Sequence, residues 1–210
     1  MTVSRHPGAA PILGGIEVQG VTRSAFLLRA ALAAGAAGGA GAVGPFVSRA
    51  LAQGKNGDVE ILNFALTLEY LEAVFYDRGS DIGLSGDVKT LARAFGDDEA
   101  KHVETLKTTI TSLGGTPVKK PTFEFPIADQ SSFVALAVTL EDTGVSAYNG
   151  AAPGIKSKEV LAAAGTIVQI EARHAAALRM VAMEEPAPDA FDEAFERQKV
   201  LDAAAPFIKS

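Results

Sequence analysis

Two short segments of the chain place a histidine three residues after a glutamate, Glu99-x-x-His102 and Glu171-x-x-His174. On a helix, residues three apart lie on one face with β-carbons roughly 5 to 6 Å apart, so each carboxylate and imidazole could reach the same metal ion. A single segment of this kind is usually a solvated surface pair. Two such segments, which contain both histidines that follow residue 6, indicate a metal site instead.

Within residues 53–210, the second half repeats the first at an offset of 72 residues. Besides the two Glu-x-x-His segments, the offset aligns Glu69 with Glu141 and Tyr76 with Tyr148. It also aligns apolar residues: Leu62 with Val134, Ala65 with Ala137, Leu68 with Leu140, and Leu106 with Leu178. These apolar residues recur at helical spacing on the faces that carry the polar ones. The repeat therefore predicts that four glutamates, two histidines and two tyrosines meet inside one helical structure.

Helical periodicity runs through residues 53–210, with no sustained alternation of the kind that marks strands. The predicted helices run from about Asp58 to Asp77, Ser85 to Leu113, Asp129 to Asn149 and Ser157 to Met183, with Asp58 and Ser85 as capping residues of the first two. One or two shorter helices are expected between Asp189 and Phe207. The segment Gly114–Ala128 contains three prolines and is too long for a tight turn, so it should cross the bundle. We therefore predict an all-α fold, a ferritin-like four-helix bundle with one long crossover between helices 2 and 3 and a short helical C-terminal extension.

Burying four carboxylates costs several kcal/mol each, and no Lys or Arg occupies the same helix faces to pair with them. Two divalent cations would neutralise the four charges. We therefore predict a pair of metal ions bridged by Glu99 and Glu171, with Glu69 and Glu141 as terminal ligands. His102 and His174 would each give one nitrogen ligand.

Tyr76 and Tyr148 lie two turns beyond the terminal glutamates on nearly the same faces. They are candidates for hydrogen bonds to the ligands or for a redox-active phenol; packing at the edge of the core is the alternative. Glu72 follows Glu69 by one turn, but the residue at the repeated position is Gly144, so we leave Glu72 outside the predicted ligand set.

Glu, then Glu-x-x-His, then Glu, then Glu-x-x-His, on four successive helices, resembles the ferritin-like di-iron and di-manganese carboxylate proteins, which include bacterioferritin, rubrerythrin and manganese catalase. The segment Phe123–Pro126 in the crossover and the Asp-rich tail are most similar to the exported ferritin-like domain family that includes desiccation-related proteins. The resemblance covers about residues 56–208. It implies two Fe or Mn ions.

Residues 1–52 have the layout of an export signal. Arg23 and Arg29 precede a run, Ala30–Gly44, that is almost entirely Ala and Gly, and Ala50-Leu51-Ala52 forms a small-x-small cleavage site. We expect cleavage near Gln53, which leaves 53–210 as a single ferritin-like domain in the periplasm or outside the cell.

The run Thr22–Leu27 resembles a twin-arginine export signal, although Ser24 stands where the second arginine belongs, so the export route stays open. A retained membrane anchor is the alternative for this region. Ala30–Val47 has 18 residues, which is just enough to span a bilayer, but its Gly and Ala content makes partitioning weak. We therefore favour export and expect no stable membrane span in the mature protein.

The composition of the chain excludes several kinds of metal site, catalysis and partner. The chain has no cysteine, which excludes thiolate metal sites and thiol catalysis, and its net charge is −6. Removal of residues 1–52 would leave 15 basic and 24 acidic residues, about −9 in net charge, so nucleic acid is not an expected partner. A homo-oligomer is compatible with the sequence.

Two classes of function follow from the sequence. The first is redox chemistry at a di-metal centre with oxygen or peroxide as substrate, which would suit a role in oxidative stress. The second is a non-enzymatic, desiccation- or stress-protective envelope protein in which the metal is a structural staple.

Overall fold

The computed structural model describes residues 55–209. The predicted export signal lies outside these residues. Four long helices account for most of the described chain: α1 Lys55–Gly79, α2 Gly86–Ser112, α3 Gln130–Ala151 and α4 Lys158–Val181. A short helix, α5 Arg197–Ala204, follows them. Helices α1 and α2 pack as one hairpin and α3 and α4 as another, and α1 contacts α3 as α2 contacts α4. The all-α bundle, its long crossover between α2 and α3 and its helical extension are as predicted.

Two strands of two residues each tie the crossover to the C-terminus. Strand β1, Thr122–Phe123, pairs antiparallel with β2, Ile208–Lys209. The Glu124 amide extends the ladder by donating to the Phe207 carbonyl at 2.9 Å. The sequence did not predict these strands, because two residues are too few to show alternation. They hold the crossover and the tail side by side.

The helix starts follow the predicted capping residues at three positions and depart from them at one. Helix α3 begins with a capping box in which Asp129 and Ser132 bond each other's backbone amides, and Ser157 caps α4 through the Val160 amide. Ser85 precedes α2, but its side chain makes no capping bond. The prediction for Asp58 was wrong: α1 begins at Lys55, so Asp58 lies inside its first turn.

Asp58 instead links the first turn of α1 to the turn that precedes α4. Its buried carboxylate accepts hydrogen bonds from the amides of Lys156 and Ser157, both at 2.8 Å, where the turn before α4 passes α1. Side-chain acceptors at a helix start satisfy amides that have no partner within the helix. The residue that looked like the cap of α1 therefore serves the start of α4.

Apolar residues form two core clusters. One contains Phe75 and Phe133, whose rings stack 4.6 Å apart, and it continues under α5 to the fully buried Val200. The other contains Leu66 and Ile110, both fully buried. Along α2 and α4 the two clusters occupy opposite halves of the helix, with the Glu and His positions between them. The polar residues of the repeat therefore form a layer between two apolar cores.

The segment before α5 runs very close to α3. The Phe195 amide donates to the Ser146 carbonyl at 2.9 Å, and a β-carbon at Gly150 would lie 1.9 Å from the Phe195 carbonyl oxygen. Only glycine allows this approach. Within residues 55–209, no helix combines the length and the hydropathy that crossing a bilayer requires.

Replacement of Gly150 by alanine should displace the tail from α3. Because the added methyl group meets backbone rather than a flexible side chain, we expect a loss of about 1 to 3 kcal/mol in the free energy of unfolding. Gly165→Ala is the matched control. It lies in α4 with nothing within 4 Å of the added β-carbon, so it should stabilise the protein by up to about 1 kcal/mol through helix propensity. Urea unfolding measures both, and equal effects would contradict the close packing of the tail.

Candidate metal centre

The structure brings the six predicted ligand residues together at the centre of the bundle. Each long helix contributes: α1 gives Glu69, α3 gives Glu141, and α2 and α4 each give a Glu and a His three residues apart. All four glutamates have 0% exposure, and the histidines are nearly as well covered. The predicted residues therefore form one buried cluster.

Within the cluster, donor atoms converge on two points. One group comprises Glu69, Glu99, His102 and Glu171, and the other Glu99, Glu141, Glu171 and His174. Each residue offers one atom, and the atoms of a group all lie within 4.8 Å of one another. Glu99 and Glu171 belong to both groups. This sharing is the arrangement expected if those two carboxylates bridge a pair of ions.

Each histidine directs its Nδ1 atom at three carboxylates. His102 Nδ1 lies 3.2 Å from Glu69, 3.0 Å from Glu99 and 3.0 Å from Glu171. His174 Nδ1 lies 3.0 Å from Glu99, 3.4 Å from Glu141 and 3.6 Å from Glu171. A single N–H bond points in one direction and cannot serve three surrounding oxygens. A cation can, because it accepts lone pairs from several directions.

Five buried polar atoms in the cluster make no hydrogen bond. They are Glu99 Oε1, Glu141 Oε2, both carboxylate oxygens of Glu171, and His174 Nδ1. Buried polar atoms in native proteins are nearly always paired, so unpaired atoms that share one location require an explanation. All five are oxygen or nitrogen donors of the types that hold Fe and Mn. The residues present therefore fit a pair of metal ions.

The pKa values of the cluster indicate which side chains carry protons when no metal is bound. Burial raises the pKa of Glu69 and of Glu141 well above the usual value. Burial acts the same way on Glu99, but contacts with the two histidines outweigh it and lower that pKa to about 2. For His102 and His174, burial lowers the pKa, yet the facing carboxylates outweigh it and raise it to about 12. Both imidazoles therefore carry a proton when no metal is bound, and their positive charges replace those of the metal ions.

The two tyrosines bond the terminal glutamates reciprocally. Tyr76 of α1 donates from its hydroxyl to Glu141 of α3, and Tyr148 of α3 donates to Glu69 of α1 at 2.5 Å. Burial, followed by the charge of the bonded glutamate, raises the pKa of both phenols, so both remain hydrogen-bond donors. Of the roles predicted from sequence, these contacts agree with hydrogen bonding to the ligands.

Two residues outside the predicted ligand set lie near the cluster. On sequence grounds Asp98 was a candidate for orienting a histidine, with surface exposure as the favoured alternative; its side chain is 39% exposed, and its Oδ2 atom lies 3.7 Å from His174 Nε2. Glu72 was left outside the ligand set, yet it is only 3% exposed. The signal for Glu72 was its position on the same face as Glu69, one turn further along α1. Glu72 was left out because Gly144 occupies the equivalent position in the repeat. That reason holds only if the repeat is exact.

Comparisons with known proteins agree with the fold. The crystal structure of a conserved hypothetical protein, rv2844, from Mycobacterium tuberculosis is similar, with a TM-score of 0.57 and 19% sequence identity. The match covers 65% of this chain and 97% of that chain, and at this identity the likeness is one of fold alone. Among curated proteins, none matches the chain. A model of the ferritin-like domain family matches residues 57–184, more than half of the sequence, and the chain therefore belongs to the ferritin-like domain family.

Proposed function

We propose that the protein binds two divalent metal ions, Fe or Mn, at the buried cluster and uses them in redox chemistry with oxygen or peroxide. One observation carries the proposal: two groups of donor atoms share Glu99 and Glu171 and leave five buried polar atoms unpaired. These atoms form no hydrogen bonds within the protein and are buried from solvent. Coordination to a metal ion would satisfy them.

The side chains of the cluster would hold the ions in different ways. Glu99 and Glu171 would be shared by the two ions, Glu69 and Glu141 would each bind one, and each histidine would supply Nδ1. When bound, metal ions of this type exchange electrons with oxygen or peroxide and polarise its bonds. The apolar clusters on either side keep water from the carboxylates.

The tyrosines fix the orientation of the terminal carboxylates. Because each phenol spans from one helix hairpin to the other, the bonds also hold α1 and α3 at the spacing that the ligands need. Hydrogen bonds to ligating carboxylates commonly adjust metal affinity.

Export to the periplasm or the medium is part of the proposal and rests on the layout of residues 1–52. Membership of the desiccation-related branch rests on the crossover and tail sequences. The second candidate function is a non-enzymatic protective protein with a structural metal site. The layer position of the cluster favours it as a candidate, since metal bound there would tie all four helices together.

Metal content is the direct test. The mature chain, purified without chelator or metal-affinity resin, should contain about two Fe or Mn ions by mass spectrometry. His102→Ala and His174→Ala should each reduce the content to about one or fewer, because each removes the only imidazole of one group. Lys101→Ala, an exposed neighbour on α2, is the control and should retain both ions. A folded wild-type protein without metal would remove the redox proposal.

Turnover separates the two candidate functions. A redox protein should consume peroxide or oxygen when loaded and lose this activity in His174→Ala. A structural site should give a large rise in Tm on loading with no consumption of either substrate.

Metal affinity should increase with pH. The histidines carry protons in the metal-free cluster and must lose them to bind metal, so loading releases at least two protons. Between pH 6 and 8, each released proton should strengthen the apparent affinity for Mn²⁺ by about tenfold per pH unit. Competition against a chelator of known proton affinity measures this slope. An affinity independent of pH would contradict the protonated state of the histidines.

Tyr148→Phe should weaken metal binding without removing a ligand. Glu69 would lose its phenol donor while remaining buried, and changes to such supporting bonds lower affinity by about 10- to 100-fold. Tyr70→Phe, at a half-buried position on α1 outside the cluster, provides the comparison and should have little effect. A tyrosyl radical signal on oxidation, absent in the Phe variants, would point instead to a redox-active phenol.

A further inference from the structure

Glu72 is a buried carboxylate that is not one of the six predicted ligand residues. It is 3% exposed, and among the residues described no side chain or amide donates a hydrogen bond to it. Burial, followed by the charges of Glu171, Glu141, Glu99 and Glu69, raises the pKa of Glu72 well above its usual value. An ionised carboxylate buried without a partner costs several kcal/mol. Its position beside four other glutamates makes that cost greater.

The direction of α1 places Glu72 on one side of the cluster. Going along the helix, Glu69 belongs to the group of His102, and Tyr76 reaches Glu141 in the group of His174. Glu72 lies between these two residues in sequence and on the same face. This order places Glu72 toward the group formed by Glu99, Glu141, Glu171 and His174, although Glu72 is not one of its members.

Gly144 makes room for this carboxylate. A β-carbon at Gly144 would lie 3.0 Å from Glu72 Oε1, so the Glu72 side chain fills the space that a side chain on α3 would occupy. The 72-residue repeat keeps every other carboxylate and imidazole of the cluster in equivalent pairs. At this one position, a carboxylate is matched by a glycine, and the two halves of the site differ.

On the premise of the metal pair proposed above, we propose that Glu72 is a fifth carboxylate ligand, bound to the ion held by Glu141 and His174. The two metal positions are then unequal in charge. Two divalent ions balance four carboxylates, and the fifth leaves one negative charge that favours the ion beside it. The ions bind in two steps of different affinity, and the position of His174 fills first.

Glu72→Gln tests this assignment in the metal-free mature chain, titrated with Mn²⁺ by calorimetry. The wild type should bind two ions in two resolved steps. In the variant, the tighter step should weaken by at least about tenfold while the second step changes little. Asp77→Asn, an exposed carboxylate on the same helix, controls for charge and should leave both steps unchanged.

The outcomes distinguish this inference from the proposed function. A wild type that binds no Mn²⁺ or Fe²⁺ overturns both. Two ions in the wild type with both steps unchanged in Glu72→Gln overturn only the assignment of Glu72.

The Tm of Glu72→Gln, measured with and without Mn²⁺, distinguishes a ligand from a residue with a purely structural role. Glu72→Gln should leave the Tm of the metal-free chain about the same and reduce the further rise on loading with Mn²⁺, because it removes a ligand of the ion and not a contact of the fold. A lower Tm without metal would show that Glu72 supports the fold instead.

The double variant Glu72→Gly with Gly144→Glu moves the carboxylate from α1 to α3. The space is available because Glu72 is the neighbour that a side chain at 144 would meet. Tight binding of the first ion should recover relative to Glu72→Gln if the carboxylate acts as a ligand. No recovery, in a variant that folds and still binds two ions, would contradict the proposal.

Discussion

Negative charge at the centre of the bundle is the constraint on which the rest of the structure depends. Five glutamates lie in a layer with no lysine or arginine in ionic contact among the described residues. In the metal-free state the two imidazolium groups offset part of this charge, and protons offset more of it, because burial raises the pKa of Glu69, Glu72 and Glu141 well above the usual value. Such a layer opposes folding unless cations enter it, since each unpaired carboxylate keeps its desolvation penalty. The apolar clusters on either side provide the favourable burial that holds the layer in place.

The helical repeat solves the geometric part of this problem. Two hairpins related by the repeat each bring one Glu and one Glu-x-x-His to the centre, so a single local pattern supplies both halves of the site. The tyrosine bonds cross between hairpins and make each half depend on the other, because the donor for Glu69 comes from α3 and the donor for Glu141 from α1. A shift of one hairpin along the other would break both bonds and separate Glu99 of α2 from Glu171 of α4. The ligand geometry and the packing register therefore support each other.

Much of this arrangement could be predicted because it is periodic. Helical spacing, the proline-containing crossover and the repeated Glu and His residues are all visible in the sequence, and they identified the four helices and the residues that cluster. What the sequence could not show depends on contacts between distant segments. Asp58 looks like a local cap, and only the passage of the turn before α4 gives it a different partner. The pairing of Thr122–Phe123 with Ile208–Lys209 and the approach of Phe195 to Gly150 likewise join segments with no common pattern.

The departures from the repeat fall on one side of the site. Asp98 approaches His174, whereas the residue at the repeated position, Ile170, offers no such group to His102. Phe95 stacks on the His174 ring at 3.9 Å, and its counterpart is Ile167. The His174 side chain is 4% exposed and that of His102 is 12% exposed. Glu72 adds a carboxylate beside Gly144, three residues after Glu141 on α3. Equivalent residues of the repeat thus stand in unequal surroundings, with His174 enclosed by an aromatic ring and extra carboxylates and His102 nearer to solvent. Because surroundings as well as ligands set metal affinity and redox behaviour, a twofold repeat in sequence does not make the two halves of this centre alike.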